Sequence, residues 1–246
     1  MVIAAAQTIP IERDTDANIL SHSRLIELAA LYGTQLIVFP ELSLTGYERE
    51  HAATLAISVS DQRLDILKAL AERHKMIIIA GAPVMISNQL HIGSCIFFPD
   101  KSVALYTKQF LHEGEEKFFS PNTNFNPAIF LGEEKIAPAI CADISNDTHP
   151  HHAAKDNATI YAASLFYTPV GIAEAYRQLG TYAQKYAMYV LMANYGGPSY
   201  NLPAGGQSAF WDNKGNLVGK KESDGEGLLI ADNNGAIWQA QVVCTT

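Results

Sequence analysis

The chain has 246 residues, of which 48% are hydrophobic, and its 25 acidic residues against 17 basic ones give a formal charge of −8. These values predict a single domain over residues 1–246 with one large core, and they argue against a nucleic-acid partner because no cluster of Lys and Arg would neutralise a phosphate backbone. No apolar run approaches the roughly 20 residues that cross a bilayer, and the N-terminus lacks the features of a secretion signal, so we expect no membrane association and a cytoplasmic location.

Strands and helices alternate in the first half of the chain. Apolar runs and helical spacing predict, in chain order, a strand at 2–6, a helix at 17–32, a strand at 36–39, a helix at 61–74 and a strand at 76–80. Two further strands, 94–98 and 103–106, flank a turn-like Pro-Asp-Lys and are typical of an antiparallel hairpin. The pattern indicates a layered α/β protein with a mixed sheet.

Alternation resumes in the second half. The predicted elements are strands at 136–140 and 159–163, a helix at 172–186, and strands at 189–193, 207–211, 217–219 and 228–231. The irregular stretches 112–127 and 196–206 are long loops. Because loops on a rigid α/β frame commonly carry binding residues, both are candidates for the walls of a pocket.

Three cysteines occur, Cys95, Cys141 and Cys244, and their separation fits neither a disulfide framework nor paired zinc ligands. Cys95 lies in an apolar stretch and is predicted to be a small buried hydrophobe. Cys141 follows the apolar run 136–140 and precedes polar Asp143, which places it at the end of a strand. A thiol there can attack a carbonyl carbon if its proton is removed, although packing alone is the alternative interpretation.

Two charged residues occupy comparable positions. Glu41 follows the apolar run 36–39 and Pro40, and Lys108 follows the predicted strand 103–106. A carboxylate beside apolar walls has a raised pKa and can shuttle protons, and a lysine ammonium can stabilise an oxyanion. The alternative for each is an ordinary solvated surface charge.

Three short segments resemble motifs of the nitrilase superfamily of carbon–nitrogen hydrolases, and they occur in the same order along the chain as in that superfamily. They are Phe-Pro-Glu-Leu-Ser-Leu-Thr-Gly-Tyr at 39–47, Tyr-Thr-Lys at 106–108 and Ile-Cys-Ala-Asp at 140–143. The similarity runs from the opening strand with Gln7 to residues 206–215, and so covers nearly the whole chain. Each motif is short, but three in order are specific.

The resemblance implies a four-layer α-β-β-α sandwich that assembles back to back into homodimers or larger homo-oligomers. It also implies that Glu41 is the general base and acid, and that Lys108 stabilises the tetrahedral intermediate together with the backbone N–H of Ala142. Cys141 would then form a thioester, and no metal or organic cofactor is required because the thiol and the carboxylate supply the chemistry.

A second glutamate often follows the lysine in this superfamily. Among the candidates in the loop we favour Glu115 from its spacing to the following Phe pair, with Glu116 left open and a self-solvating charged loop as the alternative. By the same resemblance, the expected substrate-binding residues are Tyr47, Ser164, Phe166 and Asn194. Ordinary half-buried aromatic residues are the competing interpretation for Tyr47 and Phe166.

The segment after Cys141 departs from the superfamily pattern. Ala142 and Asp143 replace the Trp-Glu typical of the nitrilase branch, which favours an amide over a nitrile substrate. The sequence therefore predicts a hydrolase of small linear amides or N-carbamoyl compounds. A catalytically silent binding module of the same fold and a thioester acyltransferase remain the alternatives.

Three histidines, His149, His151 and His152, also follow the cysteine and raise two rival hypotheses, a Cys–His hydrolase and a metal site. The first would leave Glu41 and Lys108 without a role, and the spacing is poor for zinc ligands. We expect instead a polar helix start at this position.

Overall fold

A computed structural model describes residues 1–124, 126–233, 235 and 237–245. The strands of the described chain are β1 Val2–Gln7, β2 Leu36–Val38, β3 Ile77–Ile86, β4 Gln89–Phe97, β5 Val103–Thr107, β6 Ile129–Leu131, β7 Glu134–Ile140, β8 Ile160–Ser164, β9 Tyr189–Ala193, β10 Ala209–Trp211, β11 Leu217–Lys220, β12 Gly227–Asn233 and β13 Trp238–Cys244. The α-helices are α1 Thr15–Ala30, α2 Ala52–Leu55, α3 Asp65–His74, α4 Thr148–Lys155 and α5 Ile172–Tyr186. None of the helices in these ranges combines the length and apolar character needed to cross a membrane.

The strands form two mixed sheets. The first has seven strands in the order β13-β12-β1-β2-β3-β4-β5, and the second has six in the order β11-β10-β9-β8-β7-β6. The centre of each sheet is parallel, through β1-β2-β3 in the first and β7-β8-β9 in the second, whereas the outer strands are antiparallel. The predicted mixed sheet is therefore confirmed.

Successive side chains along the central strands of the first sheet are buried in two different cores. Ile3 and Ala5 of β1 pack between the sheets, whereas Ala4 and Ala6 pack in a second core under α1 and α3. On the other side of the molecule, α5 packs against β9 and β10 and joins the inter-sheet core through residues such as Leu179. A strand side chain points to alternate faces, so this pattern produces a four-layer α-β-β-α sandwich. The predicted fold class is confirmed.

The structure corrects several element boundaries. β3 continues to Ile86 rather than ending at residue 80, because Ser87 and Asn88, both in the left-handed region with φ of 48° and 63°, make a two-residue turn into β4. The first helix begins two residues earlier than predicted, since Asp14 caps it by accepting a hydrogen bond from the Ala17 N–H at 3.0 Å. The sequence analysis also missed β6 and β13.

Candidate active site

Glu41 lies just beyond the end of β2 and is 1% exposed. Its backbone carbonyl accepts a hydrogen bond of 2.6 Å from the Tyr195 hydroxyl. The neighbouring strand must come very close to this loop: a Cβ atom on Gly81 would lie 2.4 Å from the Leu42 nitrogen and 2.7 Å from the Pro40 oxygen. Glycine at position 81 therefore leaves the space that the Glu41 backbone occupies.

Lys108 follows β5, and its side chain is fully buried. Its backbone N–H donates to the Ile92 carbonyl at 2.9 Å, which extends the β4–β5 pairing to this residue. The ammonium Nζ donates to Glu41 Oε1 at 2.6 Å and to both oxygens of Glu115 at 2.9 Å. The structure thus brings the lysine and both predicted glutamates into one buried cluster.

Glu115 is the loop glutamate that enters this cluster, while Glu113 and Glu116 are exposed. Its Oε1 accepts a hydrogen bond of 2.7 Å from the Tyr47 hydroxyl, and its Oε2 accepts one of 2.8 Å from the His112 backbone N–H. Every oxygen of this carboxylate is therefore occupied by a donor, as a buried charge requires.

The two carboxyl groups have opposite pKa shifts. Burial raises the pKa of Glu41 to about 7 against the opposing effect of Lys108, and the charge of Glu115 raises it further. For Glu115, burial is outweighed by Lys108 and by the Tyr47 hydrogen bond, so its pKa is lowered. Burial opposes the charge of Lys108, but Glu41 and its other anionic neighbours raise the pKa of the ammonium overall. At neutral pH, Lys108 and Glu115 are charged and Glu41 is poised to gain or lose a proton.

Cys141 lies at the point where β7 gives way to a 3-10 turn, Cys141–Ser145. Its φ of 41° is in the left-handed region, which is strained for a residue with a side chain and is commonly found at functional sites. Sγ lies 3.8 Å from the Phe166 carbonyl oxygen and 3.1 Å from His112 Nε2. Burial and the nearby Glu41 raise the pKa of the thiol well above its usual value. The resting sulfur is therefore protonated.

The buried Asp143 carboxylate ties the cysteine turn to the lysine segment. Oδ1 accepts hydrogen bonds of 2.9 Å from the backbone N–H groups of Gln109 and Phe110, and Oδ2 accepts one of 2.9 Å from Ile140 N–H and one of 2.7 Å from the Tyr106 hydroxyl. This clamp fixes the relative position of the strand ends that carry Lys108 and Cys141.

None of the three histidines that follow Cys141 in the sequence lines the cleft of the thiol in the described chain. His149 is buried, and its ring nitrogens lie 2.8 Å from the hydroxyls of Tyr106 and Tyr161. His151 and His152 are exposed on α4, so the expected polar helix is present. In the described part of the chain, no group of three or more His, Cys, Asp or Glu side chains is arranged to hold a metal ion.

The thiol and the Glu41 carboxylate open onto one small cleft of about 120 Å³. Its lining residues are Glu41, Tyr47, Arg49, His112, Cys141, Phe166, Thr168 and Leu202. A larger cavity of about 440 Å³ lies beside His149 and His152, but its lining contains no cysteine. We assign the smaller cleft as the candidate active site because Cys141, the predicted nucleophile, lines it.

The predicted wall residues divide into two groups. Tyr47 and Phe166 line the cleft, whereas Ser164 and Asn194 do not appear in the described lining. Ser164 is buried within β8, and the Asn194 amide accepts from the Tyr167 N–H at 2.9 Å and donates to the Tyr167 carbonyl at 3.2 Å. Through these two bonds Asn194 holds the backbone of the Phe166 loop, and a contact of Ser164 or Asn194 with substrate stays a prediction.

Four lining residues, Arg49, His112, Thr168 and Leu202, were not predicted individually, although His112 and Leu202 lie in the loops 112–127 and 196–206 that were predicted as pocket walls. Arg49 holds its guanidinium 5.4 Å from the Tyr47 ring centre and 5.5 Å from that of Tyr200, and its Nε donates to the Tyr47 hydroxyl at 3.1 Å. His112 contacts the sulfur itself. Neither lies in one of the three motifs, and no local pattern predicts contact with a residue 29 positions away.

The sequence matches the family model of carbon-nitrogen hydrolase over residues 2–240. A protein described as a nitrilase from Pyrococcus abyssi is 28% identical over 145 residues, which are 57% of this chain. The match spans 55% of the length of that relative, so its activity as a whole is not transferred here.

Solved structures share the fold at lower identity. Saccharomyces cerevisiae Nit3, a member of branch 10 of the nitrilase superfamily, superposes with a TM-score of 0.86 at 20% identity, covering 94% of this chain and 89% of that one. A glutamine mutant of the amidase from Nesterenkonia sp. AN1, which shows Michael addition of acrylamide at the active-site cysteine, has a TM-score of 0.84 at 22% identity, covering 96% and 94%. With the family model matching almost its full length, the chain belongs to the carbon-nitrogen hydrolase family.

Proposed function

We propose that this protein hydrolyses small linear amides, including N-carbamoyl compounds, through a thioester on Cys141, with Glu41 and Lys108 as its catalytic partners. One observation carries the proposal. The buried Glu41–Lys108–Glu115 cluster, joined by contacts of 2.6 and 2.9 Å, reaches through Glu41 into the cleft that contains the Cys141 thiol. Burying a charge cluster of this kind costs folding free energy. Its position beside a thiol in a cleft is typical of a catalytic site.

Acylation begins with a protonated thiol and an ionised Glu41. As Sγ attacks the amide carbon, Glu41 takes the thiol proton, so no free thiolate has to form in the resting enzyme. The carbonyl oxygen becomes an oxyanion, which Lys108 and the N–H of Ala142 stabilise. Amides at the start of a helical turn, as Ala142 is, have no partner within the turn and are free to donate. Glu41 then protonates the departing ammonia or amine.

Deacylation reverses the proton path. Glu41 accepts a proton from water as the water oxygen attacks the thioester carbon, and the tetrahedral intermediate collapses with cleavage of the carbon–sulfur bond. The sulfur leaves with the electron pair, and Glu41 returns the proton to it. Apart from water and the substrate, each step uses only side chains and one backbone N–H of this chain.

The cleft sets the size of the acyl group. An engineered apolar cavity of about 150 Å³ in another protein holds benzene, so an open cleft of about 120 Å³ suits a small acyl group of roughly that size. A relative's structure supports this range, since the Nesterenkonia amidase is described in complex with butyramide. Arg49 adds a cation to the cleft wall and favours amides with a carboxylate at the far end of the chain.

Ammonia release from matched substrates tests the proposal. The panel comprises butyramide, butyronitrile, N-carbamoyl compounds and succinamate, in which a carboxylate replaces the terminal methyl group of butyramide. Wild type is compared with Cys141→Ala, and Cys244→Ser is the matched control because Cys244 is exposed and far from the cleft. We expect amides to turn over, Cys141→Ala to be inactive and Cys244→Ser to equal wild type.

Each other outcome has a defined meaning. Turnover that survives in Cys141→Ala would refute the thiol mechanism, and turnover of the nitrile alone would refute an amide substrate. Binding of amides without turnover would favour the silent binding module. Ammonia release that occurs only when an amine acceptor is added, with an acylated amine and no free acid as product, would favour acyl transfer.

Assembly is a separate proposal. The resemblance to the superfamily favours back-to-back pairing through the helical layers of two subunits, and light scattering coupled to gel filtration would measure it. A mass equal to one chain across the concentration range would contradict the homo-oligomer.

A further inference from the structure

His112 contacts the Cys141 sulfur but takes no part in the proton transfers between Cys141, Glu41 and water. His112 Nε2 lies 3.1 Å from Cys141 Sγ, and both residues line the cleft. This distance is within the range of a hydrogen bond to sulfur, which is longer than one to oxygen. A group in contact with the sulfur can change the pKa and the reactivity of the thiol directly.

The position of His112 is fixed by the charge cluster. Its backbone N–H donates to Glu115 Oε2 at 2.8 Å, and its carbonyl accepts from the Glu115 N–H at 3.0 Å. Between them, Gly114 adopts a φ of 87°, which allows the tight turn without strain. The carboxylate that holds Lys108 therefore also holds the histidine backbone beside the sulfur.

A neutral imidazole beside a thiol can act in two ways. It can accept the thiol proton, as in a Cys–His hydrolase, or its N–H can donate to the sulfur. Burial lowers the pKa of His112, and the charge of Lys108 lowers it further, whereas the pKa of Glu41 is raised to about 7. Glu41 is therefore well suited to be the base, and the histidine is left with its N–H to offer.

We propose that His112 is a further catalytic residue, whose Nε2–H donates a hydrogen bond to Cys141 Sγ and stabilises the sulfur while it carries negative charge. During attack, the thiol proton moves to Glu41 and the new carbon–sulfur bond forms from the sulfur electron pair. When the thioester is hydrolysed, the carbon–sulfur bond breaks and the pair returns to sulfur, which the same N–H stabilises until Glu41 reprotonates it. The imidazole keeps its own proton throughout.

This inference rests on the proposed thiol chemistry, but its test does not require amide turnover. The measurement is the rate of Cys141 alkylation by iodoacetamide as a function of pH, followed by peptide mass spectrometry in a Cys244→Ser background. The titratable groups that line the cleft or act on the thiol are Glu41, Tyr47, Arg49, Lys108, Glu115, Tyr167 and His112. All but His112 are unchanged in the variants compared.

Two substitutions separate the possible roles. His112→Gln places an amide N–H near the position of Nε2 but cannot act as a base, and His112→Leu fills similar space without any donor. We expect alkylation within about threefold of wild type for Gln and roughly tenfold slower for Leu, as loss of one hydrogen bond to a charged atom predicts. With an amide substrate, kcat should fall by about tenfold to a hundredfold for Leu, with KM little changed.

The contrary outcomes are distinct. Equal loss in Gln and Leu would overturn the donor role in favour of a base, and wild-type rates in Leu would overturn any role at the sulfur. His152→Leu, an exposed histidine on α4, is the control. If Leu fails to fold, the ring 15N shifts of His112 in wild type decide: a proton on Nε2 supports the inference, and a proton on Nδ1 overturns it.

Failure of the inference and failure of the proposed function are separable. If amides are hydrolysed but His112→Leu alkylates and turns over as wild type does, only the inference fails. If no amide is hydrolysed but the alkylation pattern holds, the hydrogen bond to sulfur stands and the proposed hydrolysis fails.

Discussion

At the scale of single residues, the proposed mechanism depends on the pKa of Glu41. Burial alone would leave a neutral carboxyl group that could not act as a base at neutral pH. Lys108, at 2.6 Å, restores part of its acidity, and the neighbouring charge of Glu115 opposes this. The balance places the pKa of Glu41 at about 7, so the group can both take and return a proton near physiological pH.

The pH profile of kcat/KM tests this balance. We expect activity to fall as the pH drops below about 7, because a protonated Glu41 cannot accept the thiol proton. Glu115→Gln removes a negative charge that raises the pKa of Glu41, so this acidic limb should move to lower pH, by roughly one unit. The exposed Glu116→Gln is the control and should leave the profile unchanged. A limb that stays in place or moves upward in Glu115→Gln would show that the two carboxyl groups are not coupled in this way.

At the scale of elements, the proposed catalytic groups Glu41 and Cys141 lie at the ends of buried strands. The apolar runs before Glu41 and Cys141 predicted this, because a buried run that gives way to polar residues marks a strand end. The extension of β3 was not predictable in the same way, since Gly81 and Pro83 interrupt its apolar pattern. A short outer strand such as β6 forms because it pairs with the neighbouring strand β7, and its own residues do not predict it. Contacts such as that of His112 arise only when distant loops meet in the folded chain.

Gly81 tests whether element packing sets the position of the proposed base. A Cβ atom there would overlap the backbone at Leu42 and Pro40, so Gly81→Ala must displace the Glu41 loop. We expect kcat/KM to fall by about a hundredfold, with a loss of unfolding free energy of about 1–3 kcal/mol. Gly180→Ala in α5 is the matched control, because its Cβ would meet Trp211 at an ordinary 3.4 Å and alanine favours a helix. Wild-type activity in Gly81→Ala would refute this account of the loop.

At the scale of the whole molecule, the cleft is formed by residues that follow strands of both sheets. Glu41 and Lys108 follow strands of the first sheet, whereas Cys141 and Phe166 follow strands of the second. Their relative position therefore depends on how the sheets pack. Gln7, at the end of β1, is one connection: its amide donates to the carbonyls of Glu222 and Gly225 and accepts from the Ser208 N–H, at 2.9 to 3.1 Å.

Removing this connection should destabilise the sandwich. Gln7→Leu removes these three hydrogen bonds, one of them from the buried Ser208 N–H, and we expect the free energy of unfolding to fall by about 2–4 kcal/mol, measured by urea denaturation. Gln35→Leu is the control, because Gln35 is exposed and its side chain accepts one long hydrogen bond, of 3.3 Å from the Val2 N–H. Equal effects of the two substitutions would show that Gln7 does not tie the sheets together.

The central claim is that Cys141 becomes acylated during amide hydrolysis. Its most direct test is to quench wild-type protein with acid during turnover of butyramide or succinamate and to measure the mass of the peptide that contains Cys141. We predict that this peptide gains the mass of the acyl group less one hydrogen, and that neither the adduct nor ammonia release occurs in Cys141→Ala. Steady ammonia release by Cys141→Ala, with no acyl group on the wild-type peptide, would contradict the account.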